Sequence, residues 1–182
     1  LLSTLEARSN HLTQLLAGLS PEDREKPCYH PGSIVPAANF VDLRFKELGL
    51  HQWDIRSALE SGTGLAPDSL ASMVILINEN FASGSIRWAF WAGPALDRPV
   101  RYRFTVAEPV PFNADIVVEG DKFSFEKSSS APADVDFSCE SGTLALMISG
   151  RWQASAAISQ GKLKVEGDSA LATLFSQWFK GI

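Results

Sequence analysis

The sequence predicts an α+β chain: a helical segment over residues 1–62, then strands and helices over residues 63–182. Two observations predict it. Apolar residues recur at helical spacing to about residue 81, and after Pro99 the period drops from 3.6 to 2. The chain then closes on Leu171, Leu174, Phe175, Trp178 and Phe179, an i, i+3, i+4, i+7, i+8 stripe that would cover one face of a sheet.

Leu1, Leu5, Leu12, Leu15, Leu16 and Leu19 keep a helical period, so about the first nineteen residues form an amphipathic helix. Gly18 and Pro21 end it, and Ser20-Pro21-Glu22-Asp23 makes a turn or one helical turn. Pro27, Pro31 and Pro36 then exclude regular helix from a loop over residues 26–36. The helical period resumes from Ala37 to Leu59 and stops at Ser61-Gly62-Thr63-Gly64, the best linker in the chain. Pro67-Asp68-Ser69-Leu70 starts a helix to about Phe81, with Leu70, Val74, Ile77 and Phe81 on one stripe, and Ser83-Gly84-Ser85 breaks it. Between Ile86 and Leu96 the run holding Trp88, Phe90 and Trp91 fits a buried strand or a short core helix.

Five strands follow. Val100, Tyr102, Phe104 and Val106 alternate with polar residues in the first, and Phe112, Ala114, Ile116 and Val118 mark the second. Glu119-Gly120-Asp121 turns into Phe123 and Phe125, a third strand in a hairpin; Val135, Phe137 and Cys139 make the fourth strand, Leu163 and Val165 the fifth. Glu140-Ser141-Gly142 caps a short helix through Leu144 and Met147, and Gly167-Asp168 opens the final helix near residues 169–180. One mostly antiparallel sheet packed by that helix is expected.

A net charge of −5 and a pI near 5.2 exclude a broad nucleic-acid surface. No apolar run is long enough to span a bilayer, since Arg87 and Gly93 interrupt the richest stretch. Cys28 and Cys139 are isolated, which points to a reducing, cytoplasmic setting over a disulfide framework. The opening Leu1-Leu2-Ser3 has no initiator Met, so a longer natural protein is expected.

The chemistry centres on the helix over residues 37–59. Glu47 and His51 are four apart and stack on one face, which Asp54 extends. Phe40, Leu43 and Ala58 fall on the same stripe, so the carboxylate and imidazole are expected to turn inward, where metal ligation would account for them. A solvated surface pair is the plain alternative. His11 reads as a boundary residue, and His30 as a surface loop residue or the lining of a pocket.

The order of these motifs resembles a known family. The leucine-rich helix, His30-Pro31-Gly32 and Arg44-x-x-Glu47-x-x-x-His51-x-x-Asp54-x-Arg56 resemble the second half of a DinB-like antiparallel four-helix bundle. The strand series, Ser149-Gly150-Arg151-Trp152 and Gly161-Lys162-Leu163-x-x-x-Gly167-Asp168 are similar to the sterol carrier protein type 2 fold. Together they resemble the mycothiol-dependent maleylpyruvate isomerase family. The resemblance implies a metal-dependent isomerase or transferase with a divalent metal, zinc foremost, held by Glu47, His51 and a His from an earlier helix. It further implies mycothiol or a similar small thiol as cofactor, a small anionic substrate, and a basic residue from the later domain, for which Arg151 is the candidate and Arg101, Arg103 and Lys162 the alternatives. The early helix is not in this sequence, and neither His11 nor His30 matches its His, so the third ligand is expected from elsewhere.

Two other functions compete. The sterol-carrier-like half would be a non-catalytic module holding a lipid or small apolar ligand, with Phe104, Phe112, Phe123, Phe125, Phe137, Phe175, Trp178 and Phe179 lining a pocket or, the better fit, forming a solid core. The chain would otherwise be an interaction subunit with a vestigial metal site. A homo-oligomer is compatible with each.

Overall fold

The structure is a computed structural model and describes every residue but 32, 84–88, 129 and 182. Helix α1 (Leu2–Ala17) leads to a four-residue helix α2 (Pro21–Arg24), where Ser20 and Asp23 form a reciprocal capping box. A hairpin of β1 (Pro27–His30) and β2 (Ser33–Pro36) precedes α3 (Asn39–Ser57) and α4 (Pro67–Ser83). The hairpin corrects the loop expected here. Pro27 and Pro36 face each other at the open end of the ladder, where a two-stranded ribbon tolerates residues that lack an N–H.

Strands β3 (Val100–Ala107), β4 (Phe112–Glu119), β5 (Lys122–Lys127), β6 (Val135–Glu140) and β7 (Leu163–Gly167) form one sheet in the order β5-β4-β3-β6-β7. All five match the period-2 runs. The pairing is antiparallel except for β3 with β6, which run parallel and are joined by the β4–β5 hairpin and the segment after it. Gly120 takes the left-handed conformation that the two-residue β4–β5 turn requires (φ 59°). Among the described residues the fold is thus α+β with a mostly antiparallel five-stranded sheet.

One sheet face is apolar and covered by α4, α5 (Ser141–Ile148) and the carboxy-terminal segment. That segment corrects the expected long helix. It is α7 (Ser169–Leu174), capped by the Asp168 carboxylate accepting from the Ala170 and Leu171 N–H groups, then a single tighter turn over Phe175–Gln177. The shift in pitch aims Phe175, Trp178 and Phe179 all at the sheet, where each is fully buried. Phe175 lies 5.1 Å from Tyr102, 5.3 Å from Phe104 and 5.5 Å from Phe137, ring centre to ring centre, and the interior is a continuous aromatic cluster. The buried Tyr102 hydroxyl donates to the Leu171 carbonyl (3.0 Å), so its polar end is satisfied, and burial raises its pKa. Helix α6 (Ala154–Ser159) was not expected from the sequence. Helix α5 starts within Glu140-Ser141-Gly142 as expected, with Glu140 at its N-cap but no side-chain cap, and the Ser141 hydroxyl bonds to the Ala107 and Val110 backbone.

The segment from Ile86 onward is described only in part. Trp88 and the side chains of Phe81 and Phe112 lie outside the described residues, whereas Phe90 bridges to Phe179. Helices α3 and α4 pack closely where Gly49 meets Ser69, a contact that leaves no room for a β-carbon. Helix α4 therefore touches both α3 and α5 and ties the helical pair to the sheet half.

Burial separates the two thiols. Cys139 is enclosed on the apolar sheet face and its pKa is pushed up to about 12, while Cys28 on β1 is half-exposed. A thiol reagent is therefore expected to titrate one cysteine in the native chain and both after unfolding.

Candidate functional site

Helix α3 presents three faces. Gly49, Leu50 and Trp53 are buried, the last against Trp152 from the turn after α5 (6.4 Å, edge to face). The Trp53 indole N–H donates to the Thr63 carbonyl at 3.0 Å. A second face carries Glu47, His51 and Asp54, and a third carries Val41, Phe45, Leu48 and Ile55.

Glu47 and His51 do stack, with Oε2 3.5 Å from Nε2, but they do not turn into the core. Their side chains are 44% and 65% exposed. The correction has a geometric cause. Phe40 and Leu43 share this face, yet they line an open cleft of about 170 Å³ with His30, Leu12, Leu16 and Arg44, rather than the interior. Glu47 lines the same cleft, and the His30 ring meets Phe40 edge-on at 6.2 Å. His11 lies on α1, away from this face.

The His51 ring is addressed from its other side. Asp54 Oδ2 lies 3.2 Å from Nδ1, and Asp54 in turn accepts two bonds from Arg151, Nε to Oδ1 at 3.1 Å and Nη2 to Oδ2 at 3.0 Å. This bidentate pair is the strong form of the carboxylate–guanidinium contact. Arg151 also donates to the Ser149 carbonyl (3.0 Å) and is mostly buried. Glu47, His51, Asp54 and Arg151 therefore form one chain of contacts from α3 to the turn after α5. The sequence named all four residues but gave no sign that Arg151 would reach Asp54.

Hydrogen bonding from Arg151 is the leading cause that holds the Asp54 carboxyl below its usual pKa, against an opposing effect of burial. Because the folded value is depressed, the contact stabilises the chain above about pH 4 and is lost as pH falls through the folded value. We expect Arg151→Met to remove that acid-dependent increment. Unfolding curves for wild type and variant should separate toward pH 7 and converge as pH falls through the depressed folded value; parallel curves throughout would show that the pair is not coupled to stability.

As a metal site the arrangement is partial. The 3.5 Å separation of Glu47 and His51 matches the roughly 3.4 Å edge that bonds to a tetrahedral zinc would span. Asp54 on the far imidazole nitrogen is the outer partner that metal-bound histidines commonly have. Among the described residues, however, no group of three or more His, Cys, Asp or Glu side chains is placed to hold an ion. The pair fits two positions of such a site and no third.

The helices also leave an apolar cleft. Leu12 and Leu16 of α1 face Val41, Phe45 and Leu48 of α3 across about 440 Å³, with Arg24 and Arg44 at its rim. Among the described residues no helix is long and apolar enough to cross a membrane.

The sheet, its apolar face and the helices laid on it form one α+β layer structure. The SCP-2 sterol transfer family model matches residues 91–180, the span that holds the five-stranded sheet and the helices after it. Among solved structures, sterol carrier protein 2 of Yarrowia lipolytica in its apo form is 18% identical with a TM-score of 0.35, over 42% of this chain and 62% of that one. Sterol carrier protein 2 like 2 of Aedes aegypti is 18% identical at a TM-score of 0.41, over 59% and 96%. The sterol carrier protein domain 2 of Helicoverpa armigera is 22% identical at 0.32, over 61% and 87%. No curated protein matches the chain.

Proposed function

We propose that the chain binds a small lipophilic molecule in its sterol-carrier-type half, between the apolar sheet face and the helices that cover it. The observation that carries this reading is the SCP-2 match over residues 91–180, the span that holds the entire sheet and its aromatic cover. The space is filled by rings, so a ligand enters by displacing the carboxy-terminal turn that carries Phe175, Trp178 and Phe179. A fluorescent fatty-acid analogue titrated into the intact chain tests it. Saturable binding is expected, and Phe175→Ala should tighten it by relieving the need to move a ring. Absence of saturable binding overturns the reading. So does binding that ignores Phe175→Ala and is lost in Phe45→Glu, since the ligand would then sit in the cleft between α1 and α3.

A second reading is favoured by the contact chain from Glu47 to Arg151. In it the chain is part of a metal-dependent, thiol-using isomerase or transferase, as the resemblance to mycothiol-dependent maleylpyruvate isomerase implies. Glu47 and His51 would hold a divalent metal, most simply zinc, which when bound favours the thiolate form of a thiol. In that role Asp54 would accept the Nδ1 proton of His51 and leave the Nε2 lone pair to ligate, while Arg151 holds Asp54 in place. Two protein ligands hold an ion weakly. Zinc titration of the chain should therefore show weak binding that disappears in His51→Ala and Glu47→Gln. Equal binding by wild type and both variants removes the site.

A further inference from the structure

We infer that the Asp54–Arg151 pair is a latch on the carboxy-terminal turn, and that breaking it lets residues 175–181 lift from the sheet. The latch rests on the lipid-binding reading only for what that opening admits.

The link runs through one short segment, residues 149–154, which touches α3 on one side and the carboxy-terminal turn on the other. Toward α3 it offers Arg151, paired bidentately with Asp54, and Trp152, edge-on to Trp53. Toward the carboxy terminus it makes two contacts. The Ala154 N–H donates to the Ser176 hydroxyl at 2.7 Å, a buried bond beside the aromatic cover. Gly150 lies against the Lys180 carbonyl and Gly181 against the Ser149 carbonyl, so closely that a β-carbon on either glycine would strike the facing carbonyl.

The Ser149 carbonyl is the shared point. It accepts from Arg151 Nη1 at 3.0 Å, so one guanidinium holds both Asp54 and the carbonyl on which Gly181 rests. Its donors are fixed in one plane, and it cannot follow one partner without leaving the other. On its far side the turn is held by Trp91, whose backbone and indole N–H groups donate to the Trp178 (2.7 Å) and Gly181 (2.9 Å) carbonyls. Trp91 is 50% exposed, whereas the Arg151 side chain is 15% exposed, so the inner hold is the one that reaches α3. Once Arg151 releases Asp54, the wall against which Lys180 and Gly181 rest is free to move. Phe175, Trp178 and Phe179 ride on that turn, and its departure uncovers the apolar sheet face. Packed contacts of this kind switch between discrete arrangements, so a group that competes for Asp54 or Arg151 on the α3 side governs access to the sheet.

Hydrogen exchange of the full chain, read by mass spectrometry over residues 175–181, tests the latch without a ligand. Wild-type exchange there should outrun that of β3, which opens only with the whole sheet. Asp54→Ala and Arg151→Met should each speed it about fivefold, the population shift expected on losing a partly exposed ion pair. The double variant should match Arg151→Met, since both changes break one link. Arg56→Met, which breaks the exposed Arg56–Glu60 pair on the same helix, should leave it unchanged. Exchange at residues 175–181 that equals that of β3, or that ignores both single variants, overturns the inference. A fluorescent fatty-acid analogue should in turn associate about fivefold faster with both variants, in proportion to the open fraction. Faster exchange without faster association would overturn ligand entry beneath this turn and leave the latch standing.

Discussion

Asp115→Asn is expected to lower the unfolding free energy by about 3 kcal/mol, the low end for breaking a buried ion pair, because its arginine partners keep some solvent. Asp115 is fully buried on the polar side of β4. Arg103 donates to it from Nε (2.9 Å) and Nη2 (2.9 Å), and Arg101 from Nη1 (3.0 Å). The register sets Glu126 directly opposite Asp115, a like-charge pairing that is normally unfavourable. Arg101 Nη1 also reaches Glu126 at 2.7 Å and bridges the two carboxylates. An asparagine amide would turn N–H donors toward guanidinium groups that can only donate, and would leave Arg103 and Arg101 without their shared anion. Burial alone would raise the Asp115 pKa, but hydrogen bonds from Arg103 and Arg101 outweigh it and the net shift is downward. The sign follows: this contribution is present above the ordinary carboxyl range and is lost as pH falls through the depressed folded value. Urea unfolding at neutral pH checks the magnitude, with Glu126→Gln as a control of under about 1 kcal/mol at an exposed position. Equal effects from the two variants would show that burial of Asp115 is not what matters.

Asp115 also shows where the sequence stops informing. The period-2 runs gave all five strands because a sheet with one wet face writes alternation directly into the chain. They could not give the strand order, the parallel β3–β6 pairing, or which arginine meets which carboxylate, since those depend on register. The hairpin β1–β2 was hidden because Pro27 and Pro36 read as breakers, and α6 because six residues hold too little period. In the helical segment the spacing of Glu47 and His51 was legible as a shared face. Its outward direction was not, because Phe40 and Leu43 on that face line a cleft instead of the core. The Asp54–Arg151 pair spans 97 residues of sequence, and nothing local to either residue announces it.

Gly150→Ala should cost about 3 kcal/mol or more and disconnect the candidate site from the sheet half. Gly150 follows α5 with φ of 73°, and its N–H bonds to the Met147 carbonyl (3.1 Å) while the Arg151 N–H bonds to that of Leu146 (2.9 Å). These two bonds are the Schellman ending of a helix, which places a left-handed residue at this position. An alanine there costs about 1–2 kcal/mol for the conformation alone. Its β-carbon would in addition run into the backbone carbonyl of Lys180, which cannot give way like a side chain, and overpacking adds about 1–3 kcal/mol. The Lys180–Gly181 backbone is itself pinned, because the Trp91 indole donates to the Gly181 carbonyl at 2.9 Å. Relief must therefore come from the turn holding Arg151 and Trp152, the residues that meet Asp54 and Trp53. Gly161→Ala separates the two costs: Gly161 also has positive φ (67°) but nothing stands where its β-carbon would go, so about 1–2 kcal/mol is expected. Guanidinium unfolding of both variants gives the comparison, and the acid-dependent stability of the Asp54–Arg151 pair should vanish in Gly150→Ala alone. Equal losses in the two variants would mean that the close approach to Lys180 does not constrain the turn.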